Sequence, residues 1–389
     1  MRPSPLLIII FCLVWPTVAA QAPQNEQVST DEEDARVTTV AARQNAIANL
    51  QANASQLHEA GDQVKAARAW NRAGRFQLRL NKSPDAIVTY RQALDAVPTQ
   101  LDPKTHIDSL NGLADVYRHD DKCELAEPLL DQAVVLSDQN GYVEGKAQAL
   151  FVRVYCQTNK LTALEIAQQS LQLWQSTNHK LGQAEAYMAV GEHQMIQNNL
   201  IEATQSYETA QQLWQELNIP NRLAESLISL GQIEFRKGSF QNTLSFYTQA
   251  QQLITDEAAE PYMMGQIKAG LAEAFLEIGL PLSGLDRYRE ALDYFRQTNK
   301  PYAIAGMQWG IGSAHYFIGN YSEALAILKS ARADAIGIKQ IMLAALCDDF
   351  TGRSYFELHD YPAALTAYQA ALDGLYNPVI RSKPDVLRR

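Results

Sequence analysis

The feature that most constrains this chain is a small residue that returns at nearly constant intervals along most of its length. These positions lie 38 to 41 residues apart, so the chain repeats with a period of about 40. The eight positions are Gly74, Ala114, Val152, Gly191, Gly231, Ala272, Gly312 and Gly352. A fixed period over eight copies predicts one elongated stack of similar units, because separate globular domains would not share it.

A second set of residues follows each of these positions at helical spacing. In the fifth unit, Gly231 is followed by a turn at Gly238 and then by Thr243, Tyr247 and Ala250. Spacings of four and three place the last three residues on one face of a helix. Glycine inside a helix costs about 1 kcal/mol relative to alanine, which indicates a packing role. We therefore predict helical hairpins in which an aromatic ring of the second helix packs beside the small residue of the first.

This pattern resembles the tetratricopeptide repeat (TPR), most fully in the first unit and again in the last. The matching residues are Trp70, Ala73, Gly74, Ala86, Tyr90, Ala93 and Pro98, and then Gly352, Tyr355, Tyr361, Ala364, Tyr368 and Ala371. The resemblance covers about residues 62–376. It is closest to the longer kinesin-light-chain-like and bacterial variant, since the usual TPR period is 34. It implies an all-α, right-handed α-solenoid of about eight hairpins. The third unit, with Val152 and an early Ala163, departs most, and we expect a local irregularity there.

The N-terminal residues have the features of an export signal. Arg2 precedes an apolar run over residues 6–15, and Val18, Ala19 and Ala20 resemble a cleavage site. We expect residues 1–20 to be a signal peptide cleaved after Ala20, which would place the protein in the periplasm or outside the cell. The alternative is an uncleaved membrane anchor. After cleavage we expect no membrane insertion.

The boundaries of the remaining segments follow from composition and capping signals. Residues 21–30 are expected to form a polar linker. Thr30 followed by Glu33 is a capping box, which predicts one helix over residues 31–60 that covers the end of the stack. The solenoid is expected over residues 61–376, and residues 377–389 are expected to form a polar, basic tail.

Two cysteines fall in neighbouring hairpin turns. Cys123 lies in the turn of the second unit, and Cys156 lies near the turn of the third. Neighbouring turns stack along one edge of such a solenoid, and a disulfide is permitted in an exported protein. Two half-buried free thiols are the alternative, and the sequence leaves both open.

The resemblance to TPR proteins also implies a concave groove lined by the first helix of each unit. Its N-terminal part is expected to contain Arg68, Asn71, Arg72, Arg75, Arg79, Asn111, Arg118 and Arg153. Arginine binds carboxylates in bidentate geometry, which predicts an acidic peptide segment or chain end as the ligand. The alternative is a solvated face whose arginines pair with nearby acids such as Asp108 and Asp115.

The rest of the groove is expected to be more apolar. Its candidate residues are Met188, Met195 and Phe235 in the middle, and Trp309, Tyr316, Phe317 and Phe356 towards the C-terminus. Methionine and aromatic side chains are typical of interface anchors. We expect Trp309 to be an exposed anchor. The alternative is that about half of these side chains simply pack between helices.

Charge and motif content narrow the function classes. A net charge of −10 argues against general nucleic-acid binding, which requires a basic surface. The sequence has no phosphate loop, zinc-ligand spacing or hydrolase nucleophile elbow, so we predict no catalytic residue, no metal and no cofactor. The leading prediction is a protein-interaction scaffold that binds a peptide segment. The alternatives are a structural or assembly factor that self-associates as a homo-oligomer or organises an envelope complex, and an enzyme or small-molecule receptor.

Overall fold

The computed structural model describes residues 30–376, and helices account for nearly all of them. The helices are α1 (Thr30–Ala35), α2 (Val40–Glu59), α3 (Gln63–Arg79), α4 (Ser83–Ala96), α5 (Pro103–His119), α6 (Cys123–Asn140), α7 (Val143–Val154), α8 (Lys160–Ser176), α9 (Lys180–Ile196), α10 (Leu200–Leu217), α11 (Pro220–Arg236), α12 (Phe240–Leu253), α13 (Pro261–Glu277), α14 (Pro281–Gln297), α15 (Pro301–Ile318), α16 (Tyr321–Gly337), α17 (Ile341–Glu357) and α18 (Tyr361–Tyr376). A short 3-10 helix, Glu257–Ala259, precedes α13.

The helices from α3 to α18 form eight consecutive hairpins. Each helix packs mainly on its neighbours in the chain, and the first helices of adjacent hairpins also contact each other. Such nearest-neighbour packing is the arrangement of an α-solenoid. The predicted all-α, TPR-like stack of hairpins is therefore confirmed.

The small residues allow close approach of helices on both sides of a buried ring. A Cβ atom at Gly74 of α3 would lie 2.7 Å from the ring of Tyr90, and one at Gly112 of α5 would lie 2.2 Å from it. Tyr90, on α4, is 2% exposed. Tyr247 is enclosed similarly, with 2.1 Å between its ring and a Cβ built at Gly270. The tyrosine thus packs against bare backbone of its own hairpin and of the next one.

The third unit is irregular, as expected from its sequence. Helix α7 has 12 residues, whereas the first helices of the fourth and fifth units have 17. Cys156, just beyond α7, forms a disulfide with Cys123 at the start of α6, and their Cα atoms are 5.4 Å apart. The third described cysteine, Cys347, is a buried free thiol, and burial raises its pKa to about 12.

The prediction of one capping helix over residues 31–60 is wrong. Helix α1 ends at Ala35, and the chain bends before α2 begins at Val40. Residues 37–39 are all β-branched, which disfavours helix, and the Thr39 hydroxyl accepts a hydrogen bond from the backbone N–H of Ala42 as the cap of α2. Helix α2 covers the first hairpin as expected, with Ala54 fully buried in the shared cluster. Helix α1 leaves the cap and packs elsewhere.

Some predictions concern parts of the chain outside residues 30–376. These are the signal peptide over residues 1–20, nearly all of the linker that follows it, and the tail over residues 377–389. Of the helices that the structure describes, none combines the length and the apolar character needed to cross a membrane.

Candidate functional site

Three arginines on α3 face the short helix α1. Arg72, Arg75 and Arg79 follow one another at spacings of three and four, so their side chains extend from one face of α3. We refer to these three residues as the arginine row. All three are part of the groove predicted from the sequence.

Helix α1 supplies the acceptors for the arginine row. Both carboxylate oxygens of Asp34 accept from Arg72, at 2.9 Å from Nε and 2.6 Å from Nη2. Arg75 lies 2.7 Å from Asp31 and 3.5 Å from Asp34. Arg79 donates to the backbone carbonyl of Asp34 at 2.6 Å. Asp34 is only 4% exposed, so the arginine row encloses it in a bidentate, charge-assisted contact of the kind predicted for an acidic ligand.

The other side of α1 contacts the fourth unit. Ala35 packs against a buried cluster that includes Ala184, Trp214 and Leu217. The Nε of Arg36 donates to the backbone carbonyl of Leu217 at the end of α10, at 3.0 Å. Helix α1 therefore lies between the first helix of the first unit and that of the fourth, inside the concave side of the solenoid.

The start of α2 continues this bridge to the connection between the fifth and sixth units. The backbone N–H of Val40 donates to the Asp256 carboxylate at 3.1 Å. Arg43 donates to the backbone carbonyl of Ala259 at 3.3 Å and pairs with Glu260. The segment from α1 to the start of α2 is thus held by the arginine row at one end and by residues 256–260 at the other.

Charged residues of the first and fifth units together influence pKa values near α1. Burial, with the nearby Arg222 and Arg75, lowers the pKa of Arg79 to about 10. Arg222 itself donates to Glu225 at 2.7 Å and to Glu185 at 3.3 Å, and Glu225 is the main reason that its pKa is raised. Arg79 belongs to the first unit and Arg222 to the fifth, so charges of two distant units influence the same guanidinium.

A cavity of about 270 Å³ opens beside α1, among the first helices of the third to sixth units. The predicted groove residues Met188 and Met195 line it, together with Glu185, Arg222 and the ring of Tyr155. Ala35 packs against the same cluster as Met188, and Trp214 of that cluster also lines the cavity, so the cavity lies near α1. Its wall combines carboxylates, one guanidinium, aromatic rings and thioethers, which suits an amphipathic side chain of a ligand.

Two predicted groove residues, Asn71 and Asn111, instead join neighbouring units. Asn71 is 7% exposed and accepts a hydrogen bond from the Ser109 hydroxyl at 2.9 Å. Asn111 is 2% exposed and donates to the backbone carbonyl of Gly145 at 2.8 Å. Both amides are buried between first helices, so the prediction that they contact a ligand is wrong.

Arg153 does not face the groove either. Its guanidinium pairs with Glu127 at 3.0 Å and with Asp131 at 2.5 Å, and both partners are on α6, the second helix of the preceding hairpin.

Arg68 and Arg118 pair with acids of the solenoid. Arg68 bonds to Asp102 at 2.9 Å, and Arg118 bonds to Asp115 at 2.7 Å while its guanidinium lies 5.1 Å from the centre of the Tyr155 ring. For these two arginines the structure matches the alternative interpretation, a charged face paired with nearby acids.

The expected exposed anchor, Trp309, is partly buried. It packs in clusters between α15, α16 and α17 and meets the ring of Phe350 edge-on, at 5.9 Å between centroids. Tyr316 also packs on Phe350. The more exposed aromatic residues are Phe317 and Phe356, at 53% and 52%. In the middle of the groove, Phe235 contacts Phe240 of its own hairpin, at 5.6 Å between centroids.

Sequence reasoning missed the acidic helix that fills the arginine row. Residues 31–34 are four consecutive acids, and their charge complements the row. This complementarity is visible in the sequence. The capping-box pattern, however, led to the prediction that these residues begin the capping helix. Within residues 30–376 no group of three or more His, Cys, Asp or Glu side chains is placed to hold a metal ion.

Comparisons with known proteins agree with the repeat architecture. A profile of the MalT-like TPR region matches residues 145–336. The comparison with curated protein sequences gives no match.

Several solved structures are similar to this chain. The apo form of RapI is 7% identical with a TM-score of 0.61, over 82% of this chain and 99% of that one. A STAND-class signal transduction ATPase with a tetratricopeptide repeat sensor, from Pyrococcus horikoshii, is 15% identical with a TM-score of 0.60, over 84% of this chain and 54% of that one. This chain therefore spans about half of that ATPase. A Rap protein in complex with competence and sporulation factor is 17% identical with a TM-score of 0.48, over 69% of this chain and 76% of that one. At these identities the likeness concerns the fold alone. The repeat pattern, the profile match over residues 145–336 and the two structures with TM-scores of 0.60 and 0.61 agree that the chain has a tetratricopeptide-like helical repeat fold.

Proposed function

We propose that this protein is an interaction scaffold whose concave groove binds an acidic segment of a partner protein. The observation that carries this proposal is the contact between the arginine row and α1. Three guanidinium groups there hold a helix that has two aspartates one turn apart. A groove that binds an acidic helix from its own chain has the donors to bind one from another chain.

We propose that the protein is exported to the periplasm or to the outside of the cell. The signal-like residues 1–20 support this, because they combine a basic start, an apolar run and a small-residue cleavage site. The disulfide between Cys123 and Cys156 is also compatible with it, since such bonds persist mainly in oxidising compartments.

Photocrosslinking tests the proposed function directly. A photoreactive benzoylphenylalanine at Met188, beside α1, should crosslink to an acidic segment of another protein, identified by mass spectrometry. Reversing two charges with Arg72→Glu and Arg75→Glu should abolish that crosslink. The same probe at Ile201 on α10, which is 71% exposed, is the control and should not capture that segment.

Two outcomes would contradict the proposal. Crosslinks that survive the charge reversal would show that the arginine row does not select the partner. Crosslinks that map only to a second copy of this chain would favour the alternative function, a structural or assembly factor that self-associates.

A further inference from the structure

The acidic helix α1 fills the arginine row, and what this implies for the partner rests on the proposed function. We infer that α1 occupies the place of the partner's segment, and that the partner binds by displacing α1. The partner's segment would then be a helix with two carboxylates at positions i and i+3, matching Asp31 and Asp34, and a small residue at i+4, matching Ala35.

The contacts of α1 are those of an exchangeable element. Ala35 is its one apolar residue, and the other five are polar or acidic. A helix of six residues has no stability of its own in water, so the arginine row and the Leu217 carbonyl hold it in place. If α1 leaves, the hairpins keep their own cores, and the guanidinium groups that it covered become solvated.

The spacing of the acceptors defines the partner's chemistry. Arg72 binds the Asp34 carboxylate by two nitrogens, and Arg75 reaches Asp31 one turn earlier. The next position, Ala35, packs against the cluster that contains Trp214 and Leu217, so a small apolar residue at this position keeps that contact. An acidic segment without this spacing would satisfy only part of the arginine row.

The cavity of about 270 Å³ beside Met188 explains how a partner could bind more tightly than α1 does. It is lined by residues of α7, α9, α10, α11 and α13, and its lining residue Trp214 belongs to the cluster against which Ala35 of α1 packs. A partner that carries the two carboxylates and also places an amphipathic side chain in this cavity would gain contacts beyond those of α1. Such differential contact is what shifts a competition between two occupants of one site.

Because α1 belongs to the same chain as the arginine row, a free peptide must compete with a high local concentration of α1. Residues 36–39 connect α1 to α2, and a short flexible connection gives an effective concentration on the order of millimolar. A free peptide copy of residues 30–43 would have to compete with that concentration. Its apparent dissociation constant for the native protein is therefore expected to be about millimolar or weaker, even if its intrinsic affinity is high.

Fluorescence anisotropy with a labelled peptide of residues 30–43 tests the inference on the full chain. Asp31→Asn together with Asp34→Asn weakens the competitor, and the peptide should bind this variant at least about tenfold more tightly than the native protein. Ala35→Glu disturbs α1 through a different contact and should act in the same direction. Glu33→Gln removes one charge from an exposed position of the same helix and should leave the affinity as in the native protein.

The outcomes separate this inference from the proposed function. Adding Arg72→Glu and Arg75→Glu to the Asp31/Asp34 variant should remove peptide binding. Equal peptide affinity for the native protein and that variant, with loss on arginine reversal, would overturn the displacement of α1 but keep an acid-binding groove. Absence of peptide binding in all variants would overturn the inference and the proposed function together.

Discussion

The carboxylate of Asp34 receives two parallel hydrogen bonds from the guanidinium of Arg72, which lies 38 residues further along the chain. The side chain of Asp34 is 5% exposed and that of Arg72 is 31% exposed, so the pair is largely removed from water. Removing one partner from such a pair leaves the other charge without its counter-ion. The bond therefore couples the position of α1 to the first hairpin.

Replacing Asp34 should release α1 while the solenoid stays folded. In Asp34→Ala we expect the backbone amides of Arg36 and Val37, which bond within α1, to exchange with solvent roughly thirtyfold faster, corresponding to about 2 kcal/mol. Amides of the hairpin helices should exchange at unchanged rates. Glu33→Gln is the control, because Glu33 is exposed on the same helix. Hydrogen exchange that is equal in both variants would mean that Asp34 does not hold α1.

A glycine that meets a buried ring should not tolerate a side chain. Gly270→Ala would place its Cβ 2.1 Å from the ring of Tyr247, and we expect a loss of about 2–3 kcal/mol in the free energy of unfolding. Gly306→Ala is the matched control, since no atom lies within 4 Å of a Cβ built there inside α15. That change should be neutral or stabilise by up to about 1 kcal/mol. Urea unfolding of the two variants would measure this difference, and equal effects would contradict the packing described here.

The repeat was predictable because its cause is local. A small residue, as at Gly231, and an aromatic ring, as at Tyr247, recur at corresponding positions of successive units. The hairpin that they specify involves only adjacent segments of the chain. Tyr90 and Tyr247 each meet a second glycine, Gly112 and Gly270, which belongs to the next hairpin. Each of these glycines stands two residues before the small residue of its own hairpin, but most units have another residue type there, so the repeat pattern did not single it out.

The groove was harder to predict because it depends on how the hairpins are rotated against each other. Spacing places Asn71 and Arg72 next to each other on α3, yet one is buried against the next unit and the other bonds to α1. The side chain of Trp309 packs between α15, α16 and α17 for the same reason. The route of residues 30–43 depends on contacts with residues 217–260, and a repeat pattern carries no information about such distant pairs.

The disulfide should stabilise the irregular third unit. Cys123 and Cys156 are 33 residues apart, and closing a loop of that length reduces the entropy of the unfolded chain by an amount worth about 3–4 kcal/mol. Reduction should therefore lower the midpoint of thermal unfolding. The Cys123→Ala, Cys156→Ala double variant should show the lower midpoint with or without reductant. A midpoint of the native protein that does not respond to reductant would contradict this expectation.

A partly buried carboxyl in the middle of the solenoid should make stability depend on pH. Burial, and then the neighbouring Glu277, raise the pKa of Glu273 from 4.5 to about 7. Glu273 then binds more protons in the folded protein than in the unfolded chain between these two values, so its contribution to stability is highest below pH 4.5 and falls as pH rises towards 7.

Glu273→Gln removes this dependence, because glutamine resembles the protonated carboxyl. We expect the variant to match the native protein at pH 4 and to exceed it at pH 8 by about 2 kcal/mol, a value reduced from the full shift because the side chain is only partly buried. Other carboxyls with raised pKa values, such as Asp108 at about 6, affect both proteins equally and cancel in the comparison. Urea unfolding across this pH range would measure the difference, and two parallel curves would show that Glu273 is ionised at its ordinary pKa.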